Sequence, residues 1–241
     1  RVPDMQQIYA GIDRIVAARY DYVGISIDGL EAVHDDWRQL KGSFAASMHA
    51  IDLCRAHDIR VGLRTTLTQY NYPQLPEILA LMREHDVQKF YLSHLNYSGR
   101  GKRSRKADAH HRMTRDAMGQ LFEQAWADVV NGRDTDFVTG NNDADAILLL
   151  QWVRERLPQH AARLEKMLRA WGGNASGSGI ANIDNTGAVH PDTYWWQHTV
   201  GNVRQRSFRD IWLDNPEPLL LQLREHPPRE VGVEFRRATC E

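Results

Sequence analysis

The sequence contains few cysteines and almost no excess of charge. Only Cys54 and Cys240 occur among 241 residues, and two cysteines cannot form a disulfide framework or a four-thiolate metal site. Lysine and arginine number 30 against 31 aspartates and glutamates, which gives a formal net charge of -1. Such a balance provides no electrostatic footprint for nucleic acid or for an anionic membrane. We therefore expect neither of these as a partner.

Long apolar runs are also lacking. No stretch approaches the roughly 18 to 20 apolar residues of a transmembrane helix, and no charged and then apolar leader opens the chain. Hydrophobic residues make up 42% of the sequence, which at this length is enough to bury one large core or two modest ones. The sequence therefore predicts a globular, soluble and cytoplasmic protein. Its short basic run at 100–106 is interpreted as a solvated loop.

Helices and strands alternate along the first hundred residues. Apolar residues recur at spacings of three and four before residue 16, which predicts a helix ahead of a strand at 22–28. A second helix is predicted to begin with Ser43 as its N-cap. In the next strand, 59–68, apolar residues occupy odd positions and Arg64 lies on the opposite, polar face. A third strand is predicted at 87–94. This order is typical of βα units with parallel strands, so the predicted fold class is α/β.

The three predicted strands are too few to close an eight-strand barrel, which takes about 250 residues. They would belong to an open sheet or to the C-terminal portion of a barrel. Helical spacing of apolar residues predicts helices over 114–171, and a glycine- and serine-rich stretch at 172–179 marks a boundary. Beyond it, the sequence predicts a β-hairpin over 180–190 and a short helix at 207–212 opened by a Ser-x-x-Asp cap.

Two polar side chains stand at the end of the first predicted strand. Because residues i and i+2 of a strand point the same way, Ser26 and Asp28 project together. An α/β barrel presents hydroxyl and carboxylate groups to a ligand in this manner. The alternative is that Asp28 and Gly29 form only a βα turn.

Several short motifs occur in register along the chain. The first half carries Ser-x-Asp-Gly at 26–29, His-Asp-x-x-Arg at 34–38, Gly-Ser-Phe at 42–44, Arg-Thr-Thr-Leu-Thr at 64–68 and Gly-Arg-Gly at 99–101. Together they resemble the fourth to sixth strands, with their loops, of the radical S-adenosylmethionine (AdoMet) enzymes. In the second half, Ala-Asn-Ile-Asp at 181–184, Val-His-Pro-Asp at 189–192, Val-Gly-Asn-Val-Arg at 200–204 and Asp-Ile-Trp at 210–212 resemble the SPASM or twitch C-terminal extension of that family. The version found here most resembles the heme d1 biosynthesis branch.

The resemblance implies an architecture for the whole chain. Residues 1–112 would be the C-terminal portion of a radical AdoMet partial (β/α)6 TIM-type barrel. Residues 113–171 would form a helical connection, and 172–241 a small, truncated SPASM-like α+β extension.

The resemblance also implies cofactors and the residues that bind them. The family uses AdoMet and a [4Fe-4S] cluster, and an electron donor protein is an expected partner. Ser26 and Asp28 would hydrogen-bond the ribose and amino-acid part of AdoMet, and Arg64 its carboxylate. Asn71 is a further candidate for cofactor binding, although an asparagine before Tyr-Pro is also a common turn residue.

For the heme d1 branch, the implied substrate is a tetrapyrrole. The reaction would remove propionate side chains from a didecarboxysiroheme precursor and install oxo groups in their place. His190 and Asp192 would contact the substrate or a cluster, and Arg100 and Arg204 would contact tetrapyrrole carboxylates.

One departure from the family is large. The Cys-x-x-x-Cys-x-x-Cys motif, whose thiolates hold the cluster, is absent. Asp192 stands where most members with the extension carry a cysteine ligand, so Cys240 is the one candidate ligand for an auxiliary [4Fe-4S] cluster. We therefore expect a fragment that cannot perform radical chemistry alone and whose cluster ligands lie upstream.

Two other functions remain open at this point. One is a SPASM-type enzyme that modifies a peptide. The other is a non-catalytic module in which tryptophans hold heme or a partner; the candidates are Trp171, Trp195, Trp196 and Trp212. Core packing is the simpler interpretation of Trp171 and Trp212. A zinc site at 110–111 or 34–36 is disfavoured because neither has the required spacing.

Overall fold

The structure is a computed structural model that describes residues 5–140 and 142–225, with side chains from residue 11 onward except at position 100. The chain divides into two compact units, Arg1–Pro158 and Gln159–Glu241. The stretch 113–171, expected as a helical connection, is therefore shared between the two units.

Four parallel strands form the sheet of the first unit, in the order in which they occur along the chain. They are β1 (Tyr22–Ser26), β2 (Arg60–Thr66), β3 (Lys89–Ser93) and β4 (Asp136–Gly140). The helices of this unit are α1 (Met5–Ala17), α2 (Glu31–Arg38), α3 (Ser43–Ala56), α4 (Leu75–Glu84), α5 (His111–Val130) and α6 (Ala144–Arg156). The predicted α/β class is confirmed.

Strand β4 corrects the expectation that 114–171 contains helices only. Phe137, Val138 and Thr139 are aromatic or β-branched and therefore favour a strand. The strand follows a turn at Gly132, which has a positive φ of 68°. The strand is only five residues long and lies between two helices. Its short run of strand-forming residues was therefore overlooked beside the longer helical periodicity on both sides.

The two faces of the sheet have different environments. On one face of β2, Val61, Leu63 and Thr65 are buried, and Val61 and Leu63 join a core built with residues of the flanking helices. On the other face, Arg64 is exposed and Thr66 is half-buried. The alternation expected for 59–68 is confirmed, and the polar face carries the candidate site.

The second unit contains a small antiparallel sheet. Its strands are β5 (Asn182–Ile183), β6 (Ala188–His190) and β7 (Gly201–Asn202), with helices α7 (Pro158–Trp171) and α8 (Pro218–Glu225). The predicted hairpin is confirmed, whereas β7 was not predicted. The expected cap is present, because the Asp210 N–H donates to Ser207 Oγ at 3.1 Å. Helix formation extends further than predicted, through a π-helical turn at Asp210–Asp214.

This unit has its own core, in which Val189, Val200, Ile211, Trp212 and Leu220 are buried. Trp212 is therefore a core residue as expected. Across the described ranges of both units, no helix has the length and apolarity needed to cross a membrane.

Candidate functional site

Ser26 and Arg64 lie side by side on the polar face of the sheet. They are direct neighbours in the register of β1 and β2. Ser26 is the last residue of β1, so the pair lies near the carboxyl ends of the parallel strands. In α/β folds, loops and side chains at this end form the ligand sites.

The neighbouring strands hold the Arg64 side chain in place. On the β1 side, a Cβ added to Gly24 would lie 3.0 Å from Arg64 Cδ, so the absence of a side chain there makes room for the arginine. On the β3 side, the guanidinium carbon lies 4.6 Å from the centroid of the Tyr91 ring. This is a cation–π contact. Arg64 therefore presents an exposed but positioned charge.

Asp28 lies two residues beyond the end of β1 and takes part in a buried network of polar contacts. It is only 4% exposed. Its Oδ2 lies 2.5 Å from Nη2 of Arg38, and its backbone N–H donates to Nδ1 of His34 at 3.0 Å. Ser26 and Asp28 were expected to present polar groups together, but the Asp28 carboxylate is paired within the protein.

His34 and Asp35 fix the segment that follows the site. Burial lowers the pKa of His34 from its ordinary 6.5, which favours the neutral ring that accepts from Asp28. Asp35 accepts hydrogen bonds from the Phe44 N–H at 2.8 Å and the Ser43 hydroxyl at 2.9 Å. The hydrogen bond from Phe44 is the main cause that lowers the pKa of Asp35. Ser43 was predicted to be the N-cap of α3, but Asp35 accepts from the first turn instead.

Asn71 braces the loop after β2. Its side-chain amide donates to the carbonyl oxygens of Asp28 at 3.1 Å and Thr66 at 2.8 Å, and its Oδ1 accepts from the Thr68 N–H at 2.8 Å. The residue is 1% exposed. It thus ties the ends of β1 and β2 together, and any effect on a cofactor would pass through this brace.

A partly buried histidine–carboxylate pair was missed by the sequence reasoning. Nε2 of His94 lies 2.9 and 2.8 Å from the two carboxylate oxygens of Asp145. His94 follows β3, and its N–H donates to the carbonyl of Gly140 at the end of β4. Because β4 was not predicted, nothing in the sequence placed His94 beside α6.

The candidates of the second unit hold its hairpin. His190 is 3% exposed, and its Nδ1 lies 2.7 Å from the carbonyl oxygen of His198. Asp192 accepts from the Ser176 hydroxyl and the Tyr194 N–H, both at 2.8 Å. Both side chains are therefore engaged within the hairpin and its neighbouring loops.

The three remaining candidates differ in what the structure describes. Arg204 is exposed and donates to the carbonyl of Asn185 at 3.3 Å. Only the backbone of Arg100 is described, and Cys240 lies outside the described residues.

The structure also bears on the metal and heme sites that the sequence left open. Within 5–140 and 142–225, no three histidine, cysteine, aspartate or glutamate side chains converge as a metal site would require. Trp171 and Trp196 are 56% and 60% exposed, so the expectation that Trp171 is a core residue was wrong.

The chain has extensive similarity to characterised enzymes. It is 48% identical to the Pre-heme d1 synthase of Dinoroseobacter shibae over 217 residues, which are 89% of this chain and 54% of that protein. It is 32% identical to the Fe-coproporphyrin III synthase of Methanosarcina barkeri over 234 residues, which are 95% and 59% of the two chains. No protein-family model matches the sequence.

Solved structures show the same fold. The structure of anSMEcpe with bound AdoMet superposes with a TM-score of 0.57 at 13% identity, covering 84% of this chain and 53% of that one. Streptococcus suis SuiB bound to S-adenosylmethionine gives a TM-score of 0.64 at 12% identity, over 94% and 48% of the two chains. This chain therefore shares the fold of these two AdoMet-bound proteins.

The chain spans a little over half the length of the curated relatives that it matches. The resemblance read from the motifs is confirmed by the similarity to a Pre-heme d1 synthase and to AdoMet-bound structures. The similarity to anSMEcpe and SuiB concerns the fold alone because the sequence identities are low.

Proposed function

We propose that the protein acts in heme biosynthesis as a radical AdoMet enzyme on a tetrapyrrole, and that Ser26 and Arg64 hold AdoMet. The observation that carries the cofactor assignment is the adjacency of these two side chains on the polar face, near the carboxyl ends of β1 and β2. The substrate assignment is supported by relatives named Pre-heme d1 synthase and Fe-coproporphyrin III synthase, at 48% and 32% identity.

The chemistry of the pair suits the two polar parts of AdoMet. A guanidinium makes strong, charge-assisted hydrogen bonds to a carboxylate and can engage both oxygens. A serine hydroxyl both donates and accepts, so it can bond a ribose hydroxyl or the amino-acid part. Because Gly24 and Tyr91 already confine Arg64, little side-chain freedom is lost on binding.

Asp28 and Asn71 have an indirect part in this proposal. Through Arg38 and His34, Asp28 fixes the turn after β1, while Asn71 joins the ends of β1 and β2. They would hold the backbone beside the cofactor in one conformation, which is how binding sites keep their geometry.

When bound, the [4Fe-4S] cluster and AdoMet supply the radical chemistry, and the protein supplies binding, orientation and shielding. The described residues provide no metal site. We therefore propose that the cluster ligands lie in a part of the protein that corresponds to the region of the relatives outside their match with this chain. An electron donor protein would complete the system.

We further propose the reaction of the heme d1 branch, in which propionate side chains of a didecarboxysiroheme precursor are replaced by oxo groups. The support is the 48% identity to a Pre-heme d1 synthase. The alternative of peptide modification has only the similarity of fold in its favour.

Arg64→Leu in the full-length protein tests the cofactor assignment. We expect AdoMet affinity to fall by at least about tenfold, because a charge-assisted hydrogen bond to the carboxylate is lost. Reductive cleavage of AdoMet to 5′-deoxyadenosine should fall with it. The matched control is Arg60→Leu, on the same strand and face but at the amino end of β2. Equal affinities for the two variants would refute the assignment.

A further inference from the structure

Five of the seven residues from 100 to 106 are positively charged. They lie in a 3-10 helix, Gly99–Ala107, that follows β3; we call this helix the basic segment. The sequence predicted a solvated loop here, but the structure gives this stretch a regular backbone. Because 3-10 runs longer than three or four residues are uncommon, such a helix needs other contacts to hold it.

Hydrogen bonds attach the basic segment to the carboxyl end of the sheet. The backbone N–H of Gln69 donates to the carbonyl of Ala107 at 2.9 Å. The side chain of the same glutamine donates to the carbonyl of Lys106 at 2.6 Å, and Thr68 forms an isolated antiparallel bridge with Asp108. Since Thr68 lies two residues beyond β2, the basic segment lies at the same end of the sheet as Ser26 and Arg64.

The glycines of the Gly-Arg-Gly motif shape the start of the basic segment. Gly99 has a positive φ of 57°, which disfavours residues with a Cβ. A Cβ on Gly101 would overlap the backbone carbonyl oxygen of Asn96, so only glycine fits there without moving the chain. The motif thus holds the positive charges in a defined place.

The geometry of a 3-10 helix orders these charges. Side chains at i and i+3 share one edge, and with a rise of about 2 Å per residue they follow one another at roughly 6 Å. Arg103 and Lys106 occupy such a row, while Arg105 of the other edge lies over the Tyr97 ring at 4.8 Å. The nearby carboxylate of Asp108 accepts a hydrogen bond from the Tyr97 hydroxyl. A row of like charges repels itself unless an anion with several negative groups binds along it.

Two exposed tyrosines belong to the surroundings of the basic segment. Tyr97 is 42% exposed and Tyr70, next to Gln69, is 54% exposed. Aromatic faces beside cations suit a flat aromatic molecule that carries acidic groups at its edge.

We propose that the basic segment binds the carboxylates of a flat polycarboxylate macrocycle at the mouth of the AdoMet site. This inference rests on the proposed function for the tetrapyrrole class. It assigns the binding of the substrate carboxylates to named residues, Arg103 and Lys106.

The test is a fluorescence titration of the full-length protein with uroporphyrin, which has eight carboxylates, and with coproporphyrin, which has four. Arg103→Gln combined with Lys106→Gln should weaken uroporphyrin binding by about tenfold, since each exposed charge pair contributes modestly. The loss should be smaller for coproporphyrin and should shrink at high salt. The control combines Arg14→Gln with Arg60→Gln, which removes the same charge at the amino end of the sheet and should leave both affinities unchanged.

The outcomes separate this inference from the function on which it rests. If the wild type binds AdoMet but neither porphyrin, the tetrapyrrole part of the proposed function fails and the inference fails with it. If the wild type and the Arg103/Lys106 variant bind porphyrin equally, only the inference is overturned. The inference is also overturned if the electron donor protein no longer reduces the Arg103/Lys106 variant while its porphyrin affinity is unchanged. The basic segment would then bind a protein partner.

Discussion

At the scale of single residues, the motif around His34 forms a brace. Arg38 pairs with Asp28, His34 accepts from its backbone, and Asp35 accepts from the first turn of α3. Each polar residue of the His-Asp-x-x-Arg motif thus has a contact of its own. The motif was read as a family signature, and its physical role is to fix the chain between β1 and α3.

The burial of His34 predicts that stability depends on pH. Its pKa is lowered in the folded state, so the unfolded chain binds more protons between the folded pKa and 6.5. The stabilisation from the neutral His34 ring is therefore complete above pH 6.5, and it is lost as the pH falls through the pKa that this histidine has in the folded protein. We expect His34→Asn, which keeps an acceptor but does not titrate, to flatten this dependence in urea unfolding between about pH 7.5 and about pH 5.5.

Asn in place of the exposed His111 serves as the control, because that ring lies at the surface. The wild type and the His111→Asn protein should lose stability in parallel on acidification. If His34→Asn loses as much as they do, the buried ring does not govern this pH range.

At the scale of elements, the connection from β1 to α2 depends on a glycine. Gly29 has a φ of 148°, and a Cβ there would lie 2.6 Å from Cγ1 of Val33 in α2. Gly29→Ala should therefore lower the free energy of unfolding by about 1–3 kcal/mol. The opposite result is expected within α5, where a Cβ on Gly119 meets nothing within 4 Å.

Gly119→Ala should raise the free energy of unfolding by about 0.5–1 kcal/mol, because alanine has the higher helix propensity. Both variants can be compared in one urea series. A neutral Gly29→Ala would mean that the start of α2 can move away from the turn.

The elements also show how far the sequence could be interpreted. The alternation of apolar and polar residues in β2 predicted both the strand and the side on which Arg64 lies, since a two-residue period is a local property. Asn71 was harder to interpret, because its amide bonds to Asp28, 43 residues away. Likewise, the cap of α3 comes from Asp35 on the preceding helix. Contacts of this kind follow from the assembled fold and leave no periodic signal.

At the scale of the whole molecule, the two units have separate buried cores. We therefore expect unfolding that departs from a single two-state transition. Leu63→Ala empties part of the first core and Ile211→Ala part of the second, and each should cost about 2–5 kcal/mol. In scanning calorimetry, each variant should shift one transition and leave the other in place. A single transition shifted by both variants would show that the cores unfold together.

The order of the parallel sheet has a consequence for synthesis. Each strand pairs with the strand just before or just after it along the chain, so no pairing has to wait for a distant segment. During translation, each βα unit can therefore add to a partly built sheet soon after it leaves the ribosome, because domains form progressively as the chain emerges. Slow synonymous codons placed after β2 or β3 would then give the preceding strands time to pair and would raise the yield of soluble protein.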